Sequence, residues 1–238
     1  MAINFSEKEI DELLTRGVNE VIDRMRLKKR LLAGAASDAA GEKLRVKFGI
    51  DPTSPNIHLG NAVALLKLKD FQELGHQIIF IIGDFTGQIG DTSDKKSERP
   101  MLAEKEVKKN MKTYLKQAEK ILDIKKTEIH YNSKWLKKLG YAEIGKQTDQ
   151  FSLAEFINRE NIKRRLAAGK RVSLRELLYP LMQGYDSAAV KADLEIGGTD
   201  QRFNLLAGRT LQSYYRQAPQ DILMTNLILG TDGRKMSK

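Results

Sequence analysis

Apolar and polar positions change their period several times along this chain, and each change marks an element. From Leu44 to Ile50, apolar Leu44, Val46, Phe48 and Ile50 alternate with Arg45, Lys47 and Gly49, the two-residue period of a strand with one apolar face. Gln77 to Gly83 is instead an unbroken apolar run, QIIFIIG, which suits a strand buried on both faces of a parallel sheet. Between them, His58 to about Leu74 follows the helical period and stops at Gly75. Strand, helix, strand in this order predicts a βαβ unit.

Shorter runs predict strands at Glu128–Tyr131, Asp193–Ile196 and Asp221–Thr225, and helices at Ala103–Ile121, Ser133–Leu139 and Asp200–Gln212. Ser6 with Glu9, Ser152 with Glu155 and Ser173 with Glu176 have the spacing of capping boxes, each opening a helix. The first helix is expected to run to about Leu32, followed by a loop over Ala33–Gly41, and Asp84–Pro100 also reads as loop. The fold class expected is α/β, a doubly wound parallel sheet. In such sheets ligands sit beyond the carboxyl ends of the strands. The polar, glycine-rich segments fall there, after Ile50, Ile82, Ile196 and Thr225.

Composition narrows the function classes. A chain of 238 residues can bury a sizeable core. It holds no apolar run long enough to span a bilayer, its N-terminus is unlike a signal peptide, and cysteine is absent. These features predict a cytoplasmic protein without disulfides or a thiolate metal site. The net charge of +10 suits a polyanionic partner, although the basic residues are spread along the chain.

Two distant segments carry the candidate chemistry. Ile50-Asp51-Pro52-Thr53 leads into His58-Leu59-Gly60-Asn61, a turn feeding a helix N-terminus where free N–H groups attract phosphate. Gly233-Arg234-Lys235-Met236-Ser237-Lys238 places three cations in a glycine-loosened stretch. Together they could grip a triphosphate from both sides. Asp200, beside Gly197 and Gly198, could accept hydrogen bonds from ribose hydroxyls, or cap a helix. Tyr179, Gln183 and Asp186 are spaced to share one helix face.

HLGN followed by KMSK resembles the paired signature of class I aminoacyl-tRNA synthetases. Tyr179-Pro-Leu-Met-Gln183-Gly-Tyr-Asp186, Gly197-Gly198-Thr199-Asp200-Gln201 and Gly90-Asp91 through Arg99 resemble tyrosyl-tRNA synthetases in particular. The likeness runs from about Lys43 to the last residue, with the motifs in the family's order. It implies a Rossmann-like catalytic domain over 43–238, with a helical insertion at about 101–150 that helps form a homodimer. An N-terminal helical segment, 1–42, precedes it, and an anticodon-binding region would follow beyond Lys238.

The resemblance also implies roles. His58, Thr53, Lys235 and Lys238 would act on the phosphates. Asp51, Asn61, Gly198, Asp200 and Gln201 would bind ATP and the adenylate. Asp91, Tyr179 and Gln183 would hold the ammonium of tyrosine, and Asp186 its phenol. Lys95 and Arg99 would assist pyrophosphate or tRNA contact. ATP would bring Mg2+ with it, and no protein-bound metal is expected. The partners implied are L-tyrosine, ATP and tRNA(Tyr).

The chain departs from the family at two places. Asn61 stands where His is usual. Lys47 stands where many tyrosyl enzymes place a Tyr that shares the phenol with the Asp, so Lys47 either takes part of that role or points elsewhere. Rival readings are a tryptophanyl-tRNA synthetase, which Asp186 and Gln183 disfavour, and a non-catalytic RNA-binding protein, which intact HLGN and KMSK disfavour. A small nucleotidyltransferase is disfavoured by GGTDQ and YPLMQGYD.

Overall fold

A computed structural model describes residues 6–36, 43–93, 97–231, 233, 235 and 236. In chain order the elements are α1 (Glu7–Leu13), β1 (Val18–Ile22), α2 (Arg24–Ala36), β2 (Arg45–Ile50), α3 (Leu59–Glu73), β3 (Gln77–Ile82), α4 (Thr86–Ile89), α5 (Glu104–Asn110), α6 (Tyr114–Ala118), β4 (Thr127–Tyr131), α7 (Ser133–Leu136), α8 (Tyr141–Thr148), α9 (Leu153–Ile157), α10 (Glu160–Ala167), α11 (Leu174–Val190), β5 (Leu194–Gly198), α12 (Arg202–Tyr214) and β6 (Asp221–Thr225). All three predicted capping boxes form, opening α1, α9 and α11.

The six strands make one sheet in the order β1-β6-β5-β2-β3-β4. Pairings from β6 through β4 are parallel, and β1 adds to the edge antiparallel to β6. Successive crossovers run outward in one direction from β2 and in the other from β5, so the topological switch lies between these two strands. They pair at only two positions, Val46 with Leu194 and Lys47 with Glu195. Beyond that rung the strands part, and a crevice opens at their carboxyl ends.

The sheet is covered on both faces. Val46, Phe48, Ile50, Ile78, Phe80 and Ile82 pack into the main core with residues of α1, α2 and α3. Ile79 and Ile81 point the other way, against Val190 and Ala192 near the end of α11. The continuous apolar run of β3 is therefore buried on both sides, as its pattern predicts. α11 and α12 pack closely where Gly184 meets the backbone of Ala207; an added Cβ there would lie 3.0 Å from it.

Several expectations need correction. The single helix to Leu32 is two helices separated by β1, because Gly17 (φ 69°) and Asp23 (φ 61°), on either side of that strand, take left-handed conformations that interrupt a helical run. The segment before residue 43 is consequently part of the sheet rather than helical alone. The stretch 101–150 contributes β4 at the strand predicted there, but the helix expected from Ala103 to Ile121 breaks at Met111–Thr113 into α5 and α6. The loop after β3 contains the short helix α4. The reading of Ala33–Gly41 as a loop falls partly outside the described residues, and α2 extends to Ala36.

Candidate active site

The crevice between β2 and β5 is a cavity of about 280 Å³. Asp51, Thr53, His58, Asn61, Asp91, Tyr179, Gln183, Asp186, Gly198, Asp200, Gln201 and Lys235 all line it, together with Arg99. These residues come from seven separate stretches of chain and meet because each follows a strand end or faces the switch point. Lys95 and Lys238 lie outside the described residues.

One end of the cavity is deep and acidic. Asp51, directly after β2, accepts from Thr86 Oγ1 (2.7 Å) and from the Tyr179 hydroxyl (2.9 Å). Burial pushes its carboxyl up to about 6, against the opposing effect of these hydrogen bonds. The hydroxyl of Tyr179 is itself held protonated well beyond its ordinary range, through burial and the adjacent Asp51 charge. Gly83 is required beside Asp51: a Cβ there would sit 2.0 Å from Asp51 Oδ1 and 2.3 Å from Thr86 Oγ1.

Asp186 projects from α11 into the same end. Trp135 Nε1 donates to Oδ1 (2.7 Å) and Asn132 Nδ2 to Oδ2 (3.1 Å). Burial pushes this carboxyl up to about 7, while the charge of Lys47 and the two hydrogen bonds pull it back. Each oxygen keeps a further lone pair for a donor in the cavity.

Lys47 does not pair directly with Asp186. Its ammonium meets Glu195 Oε1 across the last β2–β5 rung at 2.8 Å, and both side chains are buried. On the polar face that the alternation of β2 predicts, Arg45 and Gly49 reach solvent, but Lys47 is buried under α11 and paired with a carboxylate on the neighbouring strand.

The other end is shallower and carries both signatures. His58 occupies the N-cap position of α3, but its side chain makes no capping hydrogen bond, so the imidazole is not used to close the helix. The chain returns above it: Met236 N donates to Ile228 O at 2.8 Å, and a Cβ on Gly60 would lie 3.4 Å from Met236 O. Lys235 Nζ reaches Asp200 Oδ2 at 2.8 Å. Asp200 sits in the 3₁₀ turn Thr199–Gln201 rather than at the N-cap of α12, which is Gln201. Asp91 accepts from Ser93 through Oδ1 and from Gln201 Nε2 (2.7 Å) through Oδ2.

Sequence reasoning missed Thr86, Asn132, Trp135, Glu195 and Asn204. None belongs to a spaced motif, and each gains its place through tertiary proximity.

The arrangement suits charge-rich substrates. The N-terminus of α3 and the Lys235–Asp200 pair face one end, the carboxylates of Asp51 and Asp186 face the other, and among the described residues no side chain is set up as an activated nucleophile. Comparison with known proteins agrees. The sequence model described as "tRNA synthetases class I (W and Y)" matches residues 39–238. The tyrosine--tRNA ligase of Dehalococcoides mccartyi (strain CBDB1) is 49% identical over 237 residues, covering 99% of this chain and 58% of the relative. That of Carboxydothermus hydrogenoformans is 51% identical over 228 residues, covering 95% and 55%. The chain thus spans somewhat over half the length of these curated relatives. Among solved structures, tyrosyl-tRNA synthetase complexed with L-tyrosine from Archaeoglobus fulgidus is similar at TM-score 0.76 and 25% identity, covering 98% of this chain and 68% of that one. A C-terminally truncated mitochondrial tyrosyl-tRNA synthetase from Coccidioides posadasii shares the fold at TM-score 0.77 and 23% identity, covering 97% and 69%.

Proposed function

The chain belongs to the class I tRNA synthetases of the tryptophan and tyrosine group, and from that premise we propose that it is the catalytic part of a tyrosine--tRNA ligase. The observation that carries this is one continuous cleft with Asp186, Tyr179 and Gln183 at its deep end and His58, Asp200 and Lys235 at its mouth. An amino acid and a nucleotide placed at the two ends would meet in the middle.

In this reading the phenol of L-tyrosine donates to Asp186, and its ammonium lies among Asp91, Tyr179 and Gln183. ATP lies over the first turn of α3. Asp200 takes the ribose, Asp51, Asn61, Gly198 and Gln201 surround the adenylate, and Thr53, His58, Lys235 and Lys238 engage the phosphates. Mg2+ travels with the nucleotide. The tyrosine carboxylate oxygen attacks the α-phosphorus, the bond from that phosphorus to the bridging oxygen breaks, and pyrophosphate leaves with the electron pair. Positioning and stabilisation of the leaving charge supply the catalysis. A hydroxyl of the terminal ribose of tRNA(Tyr) then attacks the tyrosyl carbonyl carbon, the bond from that carbon to the phosphate oxygen breaks, and AMP leaves as the ester forms. The tyrosine named in the curated relatives favours this amino acid over tryptophan.

The catalytic domain in this proposal covers 43–238. The region around 101–150 contributes to a homodimer, anticodon recognition belongs to residues beyond this chain, and the enzyme works in the cytoplasm. Among the described residues, no helix is long and apolar enough to cross a membrane. The test is exchange of labelled pyrophosphate into ATP, run with each of the twenty amino acids. Exchange dependent on tyrosine is expected; exchange driven by tryptophan, or by none, would overturn the proposal.

A further inference from the structure

Along the wall of the cleft, a line of side-chain amides runs from the carboxylate of Glu195 to those of Asp91 and Asp200. Lys47 and Glu195 stand opposite each other on the last rung of β2 and β5, with side chains 0% and 1% exposed. The Lys47 ammonium donates to Glu195 Oε1 (2.8 Å), Ser187 Oγ (2.8 Å) and the Gln183 carbonyl (2.9 Å), so its three donors meet three acceptors. Glu195 Oε2 accepts from Gln220 Nε2 (2.5 Å) and Ser187 Oγ (3.0 Å). Glu195 Oε1 also accepts from Gln183 Nε2 at 3.1 Å.

From Gln183 the line continues. Its Oε1 accepts from Asn204 Nδ2 (3.2 Å), which also donates to Gln201 Oε1 (2.9 Å). Gln201 Nε2 then donates to Asp91 Oδ2 (2.7 Å) and Asp200 Oδ2 (3.1 Å). An ionised carboxylate only accepts. The amide at each end of the line must therefore turn its NH2 to the carboxylate beside it. Turning any one amide over would set NH2 against NH2, or carbonyl oxygen against oxygen.

We infer that Glu195, held in place by Lys47, is a positioning residue for the substrate's ammonium: it fixes the polarity of Gln183, so that the side-chain carbonyl and not the NH2 serves the cleft. This rests on the reading of the cleft as a tyrosine site. Lys47 and Glu195 touch no reacting atom. Their effect passes through the orientation of one amide, which a merely space-filling pair would leave unchanged.

The test is a double-mutant cycle read by calorimetric binding of L-tyrosine. Glu195→Gln places a group that can donate as well as accept beside Gln183 and removes one of the two contacts, Glu195 and Asn204, that set its polarity. It should weaken tyrosine binding by about tenfold or more, whereas adding it to Gln183→Ala should change affinity by less than about twofold. Losses that simply multiply would overturn the inference, because Glu195 would then act on the pocket without Gln183. Glu195→Gln also leaves the Lys47 ammonium buried without its counter-charge, so Lys47→Met/Glu195→Gln is measured alongside, with and without Gln183→Ala. The same coupling is expected there, and parental affinity in Lys47→Met/Glu195→Gln would overturn the inference. Failure of the unsubstituted chain itself to bind tyrosine would overturn the reading of the cleft, and the inference with it.

Discussion

Replacing Asp186 with asparagine removes a charge that folding penalises, and the consequence changes sign with pH. The residue is 4% exposed, and burial raises its carboxyl from 3.8 to about 7. A carboxyl pKa raised by folding means that the folded state holds the proton more tightly. Its contribution to stability is then complete below about pH 4 and is lost as the pH rises through about 7. A displacement of about three units corresponds to about 4 kcal/mol once the group is ionised in both states. Asparagine escapes that penalty, but its NH2 must face either Trp135 Nε1 or Asn132 Nδ2, both of which are donors. The mismatch costs roughly 1–3 kcal/mol at every pH. Asp186→Asn should therefore be less stable than the parent near pH 4 and more stable, by roughly 1–3 kcal/mol, above pH 8. At about 2–4 °C per kcal/mol for a chain of this size, the crossing is visible in Tm. Urea or thermal unfolding from pH 4 to 9, without tyrosine, measures it. An offset of constant sign and size would show that Asp186 is not a buried, ionisable strain in the fold. The gain in stability should come with a loss of selectivity, since the tyrosine-to-phenylalanine ratio of kcat/KM should fall by roughly tenfold or more, about 1.4 kcal/mol.

Gly83→Ala should abolish most tyrosine-dependent pyrophosphate exchange, a loss of roughly tenfold or more, because its Cβ would occupy the space of the Asp51 carboxylate; unchanged exchange would mean that Asp51 need not stay where it is. Lys235→Ala should slow adenylate formation by roughly tenfold or more while leaving the calorimetric Kd for tyrosine within about twofold, because its charge matters most as pyrophosphate leaves. Equal losses in both would place Lys235 in ground-state binding instead.

The sequence carries the parts of this molecule that are encoded locally. The strands β2 and β3, the helix α3 and three helix starts follow from apolar period and capping chemistry, and the switch-point rule places the motifs at one sheet edge. What escaped depends on chain segments that meet only in three dimensions. β1 is a short strand between two helices, set off by Gly17 and Asp23 in conformations that a periodicity scan does not register. The burial of Lys47 depends on which strand lies beside β2. Only the sheet order brings Glu195 opposite it, and α11 together with Gln220 covers the pair. Asn132 and Trp135 follow β4 and reach Asp186 across the end of the sheet. No spacing in the sequence links positions 132 and 186.

The two-rung contact between β2 and β5 is also the narrowest lateral joint in the sheet. β2 meets β3 over six residue pairs and β5 meets β6 over five, whereas β2 and β5 share two. One flank of the seam bears Asp51, His58 and Asp91, and the other bears Asp200, Gln201 and Lys235. The sheet is thus stitched least where these groups face one another, and a ligand lodged in the crevice would act as a suture between two half-sheets. In mechanical terms, what the cleft receives becomes part of what holds the sheet together.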